Sequence, residues 1–123
     1  DWFIYPEGFY KVLVKIKDLY GNVPIYITEN GACYNEEPEN GEVADHKRID
    51  YLKTHLTALK RSMDSGVNVK GFLYWSLMDN FEWALGYSMR FGIVHVNYET
   101  LERTKKDSYH WFGETIQNGE FTL

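Results

Sequence analysis

Two carboxylates follow short apolar segments, and this position suggests that they share a site. Glu29 comes directly after residues 24–28 (Pro-Ile-Tyr-Ile-Thr), and Glu82 comes five residues after the mostly apolar run 69–77. Continuous runs rich in β-branched residues are typical of strands that are buried on both faces of a parallel sheet. Parallel α/β folds place their chemistry at the carboxyl ends of such strands. We therefore expect both carboxylates at the same mouth of a barrel-like fold.

Aromatic side chains surround the second carboxylate. They are Tyr74, Trp75, Phe81, Trp83, Tyr87 and Phe91. A strand-ending glutamate is more often solvated or capping, and an aromatic run can simply be core packing under a loop. Asp79, Asn80 and Glu82 lie among these rings, however, and a purely structural core avoids that mixture. Aromatic faces stack on the C–H faces of sugars while carboxylates accept hydrogen bonds from sugar hydroxyls, so the residues favour carbohydrate binding.

Two helices are predicted next to these strands. Apolar residues at helical spacing predict a first helix from Pro6 to Gly21. A second helix is predicted from a capping Asp45 to Gly66. Its predicted apolar stripe consists of Ile49, Leu52, Leu56, Leu59 and Met63. Helices flanking the strands in this way indicate βα units, in which the helices cover the sheet.

A short hairpin, with a strand over residues 92–98 and residues 99–106 as its turn, and a last helix capped by Ser108 complete the predicted order of elements. Alternating helices and strands indicate an α/β fold with a parallel sheet and right-handed crossovers. Two buried strands cannot cover their own faces and edges. A (β/α)₈ barrel typically needs about 250 residues. The 123 residues are therefore predicted to form a sector of one barrel domain.

Composition excludes several classes of partner. The formal net charge of −5 argues against nucleic acid or an anionic membrane surface as the main partner. No apolar run approaches the ~18 residues of a membrane span. Cys33 is the single cysteine, so no internal disulfide is possible, which fits a cytoplasmic protein. We expect Cys33 to have a small, buried, apolar role.

The sequence contains no pattern for a metal or an organic cofactor. His46 and His55 are nine residues apart on one predicted helix, which places them on opposite faces. The segment Glu29-Asn30-Gly31 lacks the spacing of a glycine-rich phosphate loop. We therefore expect neither a metal nor a cofactor.

Specific motifs resemble those of glycoside hydrolase family 1. Residues 25–32 (Ile-Tyr-Ile-Thr-Glu-Asn-Gly-Ala) resemble the nucleophile signature of that family, and residues 75–93 resemble its sugar-recognition segment. Residues 5–8 and 45–49 match the surrounding helices. The resemblance covers essentially the whole chain, with correct spacing between the two main motifs. It implies the C-terminal part of a (β/α)₈ barrel, with barrel strands 7 and 8 and their helices.

The resemblance also implies an activity and a role for each site residue. A retaining β-glucosidase of this family would use Glu29 as the catalytic nucleophile. Glu82 would bind the hydroxyls on the fourth and sixth carbons of the sugar, Trp83 would donate its indole N–H to the hydroxyl on the third, and Trp75 would lie under the ring. Supporting positions behind these ligands would be taken by Ser76, Asp79 and Asn80.

Glu82 further implies an unphosphorylated β-glucoside, because relatives that act on 6-phosphosugars replace this acid, which would repel a phosphate. β-Galactosides and β-fucosides are the expected secondary substrates.

The family's acid/base lies in an Asn-Glu-Pro segment that does not occur in this chain. The chain alone is therefore expected to be inactive and to need a complementary N-terminal barrel portion, from the same parent chain or from a separate polypeptide. The alternatives are a noncatalytic glycan-binding or scaffold derivative of the fold and an artificial half-barrel built to assemble.

Overall fold

The computed structural model describes residues 3–120 and contains three helices and two small sheets. The helices are α1 (Pro6–Tyr20), α2 (His46–Asp64) and α3 (Asp107–Asn118). The strands are β1 (Ile25–Ile27), β2 (Val69–Phe72), β3 (Val94–Val96) and β4 (Arg103–Lys105), and a single 3₁₀ turn spans Trp83–Leu85. This is the element order predicted from the sequence, with one difference: residues 103–105 form β4 and pair with β3, although they were predicted as part of the turn.

β1 and β2 form the parallel pair that the sequence pattern predicts. Ile25 lies opposite Val69 and Ile27 lies opposite Phe72, with one register irregularity between them. β2 ends at Phe72, so the predicted strand 69–77 is too long. Beyond β2 the Leu73 N–H donates to the Ile27 carbonyl at 2.8 Å and the Trp75 N–H donates to the Asn30 carbonyl at 3.1 Å. The chain bends at Trp75, and from Ser76 onward it bonds to residues 91–94 around β3. The described residues do not close a barrel.

The apolar core lies between the helices and this strand pair. One cluster joins α1, β1 and α2 through Leu13, Ile27 and Leu59. A second cluster joins α2 to the chain that follows β1, with Leu52 fully buried at its centre. The two clusters hold α2 firmly against the strands, and α2 in turn presents its amino-terminal residues to the loops that leave the strands.

Both helix caps predicted from the sequence are wrong, for one shared reason. Asp45 precedes α2 but makes no capping hydrogen bond to it. Its carboxylate instead accepts from the Ser108 N–H at 2.8 Å and from the Ser108 hydroxyl at 2.6 Å. Because α3 begins at Asp107, Ser108 lies inside its first turn and is not its N-cap residue. Asp45 satisfies an orphan N–H of α3 across the fold, and this docks the start of α3 against the start of α2.

Large apolar side chains remain exposed around the strand pair. Tyr26, in the middle of β1, is 63% exposed, although its segment was predicted to be buried on both faces. Leu73 and Leu77, just beyond β2, are also exposed. Exposed apolar groups gathered around a strand pair are typical of a surface that packs against other protein elements. Separately, none of the helices within residues 3–120 has the length and apolar character of a membrane span.

Candidate active site

One groove contains all four side chains that the sequence singled out. Glu29, Trp75, Glu82 and Trp83 line a groove of about 430 Å³ at the carboxyl ends of β1 and β2. Its remaining lining residues are Asn30, Gly31, Tyr51 and Phe91. The two carboxylates predicted to share one mouth therefore do so, with indole rings beside them.

The backbone next to Glu29 is fixed to the opposite wall of the groove. Asn30 accepts a hydrogen bond from the Trp75 N–H at its carbonyl (3.1 Å) and one from the Tyr51 hydroxyl at its side chain (3.1 Å). Gly31 lies so close to the Trp75 carbonyl that a Cβ atom at this position would overlap the oxygen. These contacts hold the Glu29 backbone at a set distance from Trp75, whose peptide bond to Ser76 is cis.

A tight turn presents Glu82 and Trp83 to the groove. The Glu82 N–H donates to the Gly86 carbonyl at 2.7 Å, and the Leu85 N–H donates to the Glu82 carbonyl at 2.8 Å. Trp83 has a φ of 44°, in the left-handed region that side chains other than glycine seldom adopt. Trp83 is 82% exposed, which leaves its ring and indole N–H accessible to a ligand. Left-handed backbone at an accessible tryptophan is the kind of strain that clusters at ligand-binding positions.

Neither groove carboxylate is committed to a protein partner within the described range. Glu29 and Glu82 make no side-chain hydrogen bond or ion pair with any of residues 3–120. An ionised carboxylate has about four acceptor positions. Both groups can therefore accept hydrogen bonds from hydroxyls, and Glu29 can also act as a nucleophile toward an electrophilic carbon.

Asp79 anchors the loop that carries Glu82. The buried Asp79 carboxylate accepts from the Gly92 N–H at 3.0 Å, from Arg90 Nη1 at 2.8 Å and from Lys106 Nζ at 3.1 Å. Burial lowers the pKa of Lys106, with a smaller lowering by Arg48, whereas its contact with Asp79 raises the pKa. Lys106 precedes α3, so Asp79 ties both ends of the loop 79–92 to the last helix.

Ser76 and Asn80 also support this loop from inside. The Ser76 hydroxyl donates to the Met78 carbonyl at 2.9 Å, and Asn80 donates its amide to the Ser76 hydroxyl at 3.0 Å. Neither side chain lines the groove. Phe91 is buried in the groove wall, while Tyr87 lies against Phe81 and Tyr98 outside it.

Arg48 is the main residue that the sequence analysis missed. It is completely buried at the start of α2, with its guanidinium directed to the two loops behind the groove. The sequence does contain a pattern that indicates its burial, because Arg48 is four residues before Leu52 and eleven before Leu59. These spacings place it on the same buried helix face. The predicted stripe began instead at Ile49, which is only half-buried.

Cys33 is half-buried and one of its two side-chain contacts is polar, so the prediction of a buried apolar role is wrong. Its thiol lies 3.2 Å from the Asn35 side-chain oxygen and 3.7 Å from the Met89 sulfur. Burial raises the pKa of the thiol, although a backbone hydrogen bond lowers it by a smaller amount. The raised pKa disfavours the reactive thiolate.

Within the described range, no group of three or more His, Cys, Asp or Glu residues is arranged to hold a metal ion.

Comparison with known proteins identifies the family. The family model for glycosyl hydrolase family 1 matches residues 1–121. The chain belongs to this family. β-Glucosidase A of Acetivibrio thermocellus is 53% identical over 121 residues, which is 98% of this chain and 27% of that relative. A bifunctional β-D-glucosidase/β-D-fucosidase of Bifidobacterium breve is 47% identical over 120 residues, or 94% of this chain and 26% of the relative.

The solved structures of family 1 agree with these relatives. A family 1 β-glucosidase from Thermotoga maritima superposes with a TM-score of 0.96 at 47% identity, covering 99% of this chain and 28% of the other. The same comparison finds a T. maritima β-glucosidase in complex with glucoimidazole, with a TM-score of 0.95. The chain therefore has part of the family's barrel fold and spans about a quarter of the length of the relatives it matches.

Proposed function

We propose that this chain forms the part of a retaining β-glucosidase that supplies the catalytic nucleophile, Glu29, and the glycone ligands Glu82, Trp83 and Trp75. The observation that carries this proposal is the single groove that contains all four side chains. Membership of family 1 and the β-glucosidases among its relatives support it. The acid/base is supplied from outside the 123 residues.

The proposed reaction is a double displacement. The ionised Glu29 carboxylate attacks the anomeric carbon, so that a carbon–oxygen bond to Glu29 forms while the glycosidic bond breaks. The departing oxygen takes a proton from the acid, which a retaining enzyme places about 5–5.5 Å from its nucleophile. Water, deprotonated by the same group acting as a base, then releases the sugar with its original configuration and regenerates Glu29.

The proposal requires a completed barrel, meaning this chain joined to or assembled with an N-terminal portion. In it, residues 1–123 supply barrel strands 7 and 8 of a single domain. The exposed Tyr26, Leu73 and Leu77 around the strand pair support this arrangement, because neighbouring strands and helices would cover them. The remainder comes from the same polypeptide or from a separate one. A single cysteine supports a cytoplasmic location for this enzyme.

The proposed substrate is an unphosphorylated β-glucoside, with β-fucosides and β-galactosides as secondary substrates. Glu82 supports this choice because a carboxylate in the groove repels a phosphate and accepts hydrogen bonds from sugar hydroxyls. The relative from Bifidobacterium breve, named for both glucosidase and fucosidase activity, supports a site that accepts a 6-deoxy sugar with the galactose configuration at its fourth carbon.

The proposal is tested by trapping the intermediate on Glu29. The completed barrel is incubated with an activated 2-deoxy-2-fluoro-β-glucoside, whose fluorine slows hydrolysis of the glycosyl-enzyme. We expect one sugar per barrel, mapped by peptide mass spectrometry to the peptide that contains Glu29. A native mass measured on the same sample identifies the portion that completes the barrel. Binding of glucose without an adduct would refute the catalytic proposal and favour the noncatalytic glycan-binding alternative.

Removing the charge of Glu82 is expected to weaken transition-state binding. Hydrogen bonds to a charged group contribute roughly 1.5–3 kcal/mol, so Glu82→Gln should lower kcat/KM for a β-glucoside about 10- to 100-fold. The matched control is Glu99→Gln, the same change at an exposed acid in the turn between β3 and β4, which should leave kcat/KM unchanged. Equal values for the two variants would exclude Glu82 as a sugar ligand.

A further inference from the structure

The start of α2 holds a fully buried cation, Arg48. A buried guanidinium is costly unless its N–H groups are hydrogen-bonded, so its partners indicate why an arginine is needed here. Arg48 has six acceptors: Asp45 Oδ2 (2.7 Å), the Ala32 carbonyl (2.6 Å), the Tyr74 hydroxyl (3.0 Å), the Phe91 carbonyl (3.1 Å), the Tyr34 carbonyl (2.9 Å) and the Arg90 carbonyl (3.2 Å). All three guanidinium nitrogens are used.

Four of these acceptors are carbonyls from the two loops that form the groove. Ala32 and Tyr34 follow Glu29 closely along the chain, whereas Arg90 and Phe91 end the loop that carries Glu82. Carbonyl dipoles from two loops thus converge on one positive charge. Without that charge they would face one another in a buried space, which is unfavourable. The guanidinium therefore links the Glu29 side of the groove to the Glu82 side.

Short paths connect these carbonyls to the groove itself. Ala32 is joined to Glu29 through Asn30 and Gly31, both of which contact Trp75. The Phe91 carbonyl also accepts from the Ser76 N–H at 3.2 Å, next to Trp75 in the chain. Movement of either loop away from Arg48 would therefore change the distance between Glu29 and the sugar ligands.

Asp45 fixes the orientation of the guanidinium. Its Oδ2 atom accepts from Arg48 Nε, and both of its oxygens accept from Ser108 at the start of α3. The Asp45 carboxylate is fully buried and cannot rotate without breaking these bonds. With Nε held in this way, the two terminal nitrogens point to the loops.

We propose that Arg48 is a positioning residue that sets the separation of Glu29 from Glu82 and Trp83 by bridging the two loops through its planar guanidinium. The inference rests on the proposed function and adds to it a residue that does not touch the sugar. Arginine is suited to this role because its five N–H groups lie in a rigid fork, whereas the lysine ammonium is a compact point charge.

The test is Arg48→Lys in the completed barrel, because lysine keeps the charge but cannot span both loops. The activated 2-deoxy-2-fluoro-β-glucoside gives two readouts: the amount of leaving group released counts competent sites, and the rate constant reports how well Glu29 is placed. A misplacement of about 1 Å can cost about 10²-fold in rate. We expect the number of sites per folded protein to be retained while the rate constant per site falls roughly 100-fold.

The control is Arg61→Lys on the same helix, where Arg61 forms an exposed ion pair with Glu7. It should match the unmodified protein in both readouts. Fewer competent sites with an unchanged rate constant in Arg48→Lys would show that Arg48 only stabilises the fold and would overturn the proposal. A normal site count with a normal rate constant would overturn it as well.

A second variant addresses the case in which Arg48→Lys does not fold. Asp45→Asn retains the guanidinium but removes the charge that orients it, and we expect a smaller fall, of about tenfold, in the rate constant per site. Folded Asp45→Asn with an unchanged rate constant would overturn the proposal. If the unmodified barrel forms no adduct, the proposed function itself fails, which is a different result from altered kinetics in the variants.

Discussion

Glu29→Ala is expected to lower the turnover of a β-glucoside by roughly 10⁴-fold or more in the completed barrel, because removing a nucleophile costs several orders of magnitude in kcat. Glu29 lines the groove, and its carboxylate has no partner within residues 3–120 that would commit it to a structural role. The loss should therefore appear in kcat and in adduct formation, with the fold intact. Steady-state kinetics with an aryl β-glucoside and mass spectrometry measure the two effects.

Added azide should identify the chemical step that Glu29→Ala removes. Alanine leaves space on the face of the sugar where the carboxylate stood, and a small anion can attack there. With a substrate whose leaving group needs no proton, azide should restore turnover and give a product of inverted, α configuration. The control Glu114→Ala, at an exposed acid on α3, should behave as the unmodified protein does. A β-configured azide product, or an adduct that persists in Glu29→Ala, would contradict the assignment of Glu29 as nucleophile.

Local patterns were sufficient to predict the groove. One β-branched-rich run and one mostly apolar run predicted the parallel pair β1 and β2, and parallel strands have their carboxyl ends at one edge. The chain segments that leave such strands begin close together in space however far apart they lie in sequence. Glu29 and Glu82 could therefore be placed in the same groove from the sequence. The functional role of each remained a matter of family resemblance and remains a prediction.

The buried charges behind the groove could not be predicted in the same way. Asp45 and Ser108 each stand where a local rule expects a cap, yet they bond each other across the fold. Local rules compare a side chain only with the N–H groups of its own helix, whereas this partner is brought near by the docking of α3 on α2. The position of Arg48 in the stripe with Leu52 did indicate burial. Its loop partners are known only from the three-dimensional fold.

Two buried carboxylates thus organise the loops that form the groove. Asp45 orients Arg48, which contacts both loops. Asp79, where the loop 79–92 begins, binds Arg90 near the end of that loop and also binds Lys106. Removing one partner of a buried ion pair costs about 3–5 kcal/mol, because the other charge is left uncompensated. An apolar core can tolerate small sliding movements, whereas hydrogen bonds to charged groups specify distance and direction. This network suits loops that must hold two groups of side chains at a set separation.

Gly31→Ala is expected to change the distance between Glu29 and the sugar ligands on the other side of the groove. The new methyl group would overlap the Trp75 carbonyl oxygen, so that either the chain after Glu29 or the chain at Trp75 must move. Both segments line the groove, and neither can move far without breaking the hydrogen bond from the Trp75 N–H to Asn30. A displacement near 1 Å predicts a fall of about 100-fold in the rate constant for adduct formation per site. Site titration together with that rate constant is the measurement.

The matched control for this change is Gly113→Ala, the same substitution within α3. A Cβ atom at residue 113 would have no neighbour within 4 Å, and alanine is favoured over glycine inside a helix by about 0.8–1.0 kcal/mol. This variant should keep the rate constant and raise the melting temperature slightly, whereas Gly31→Ala should lower the rate constant in the folded fraction. A normal rate constant per site in Gly31→Ala would mean that the groove absorbs the methyl group without moving Glu29. The close approach of Gly31 to Trp75 would then be a packing detail, and the placement of Glu29 would depend on the other contacts of its loop.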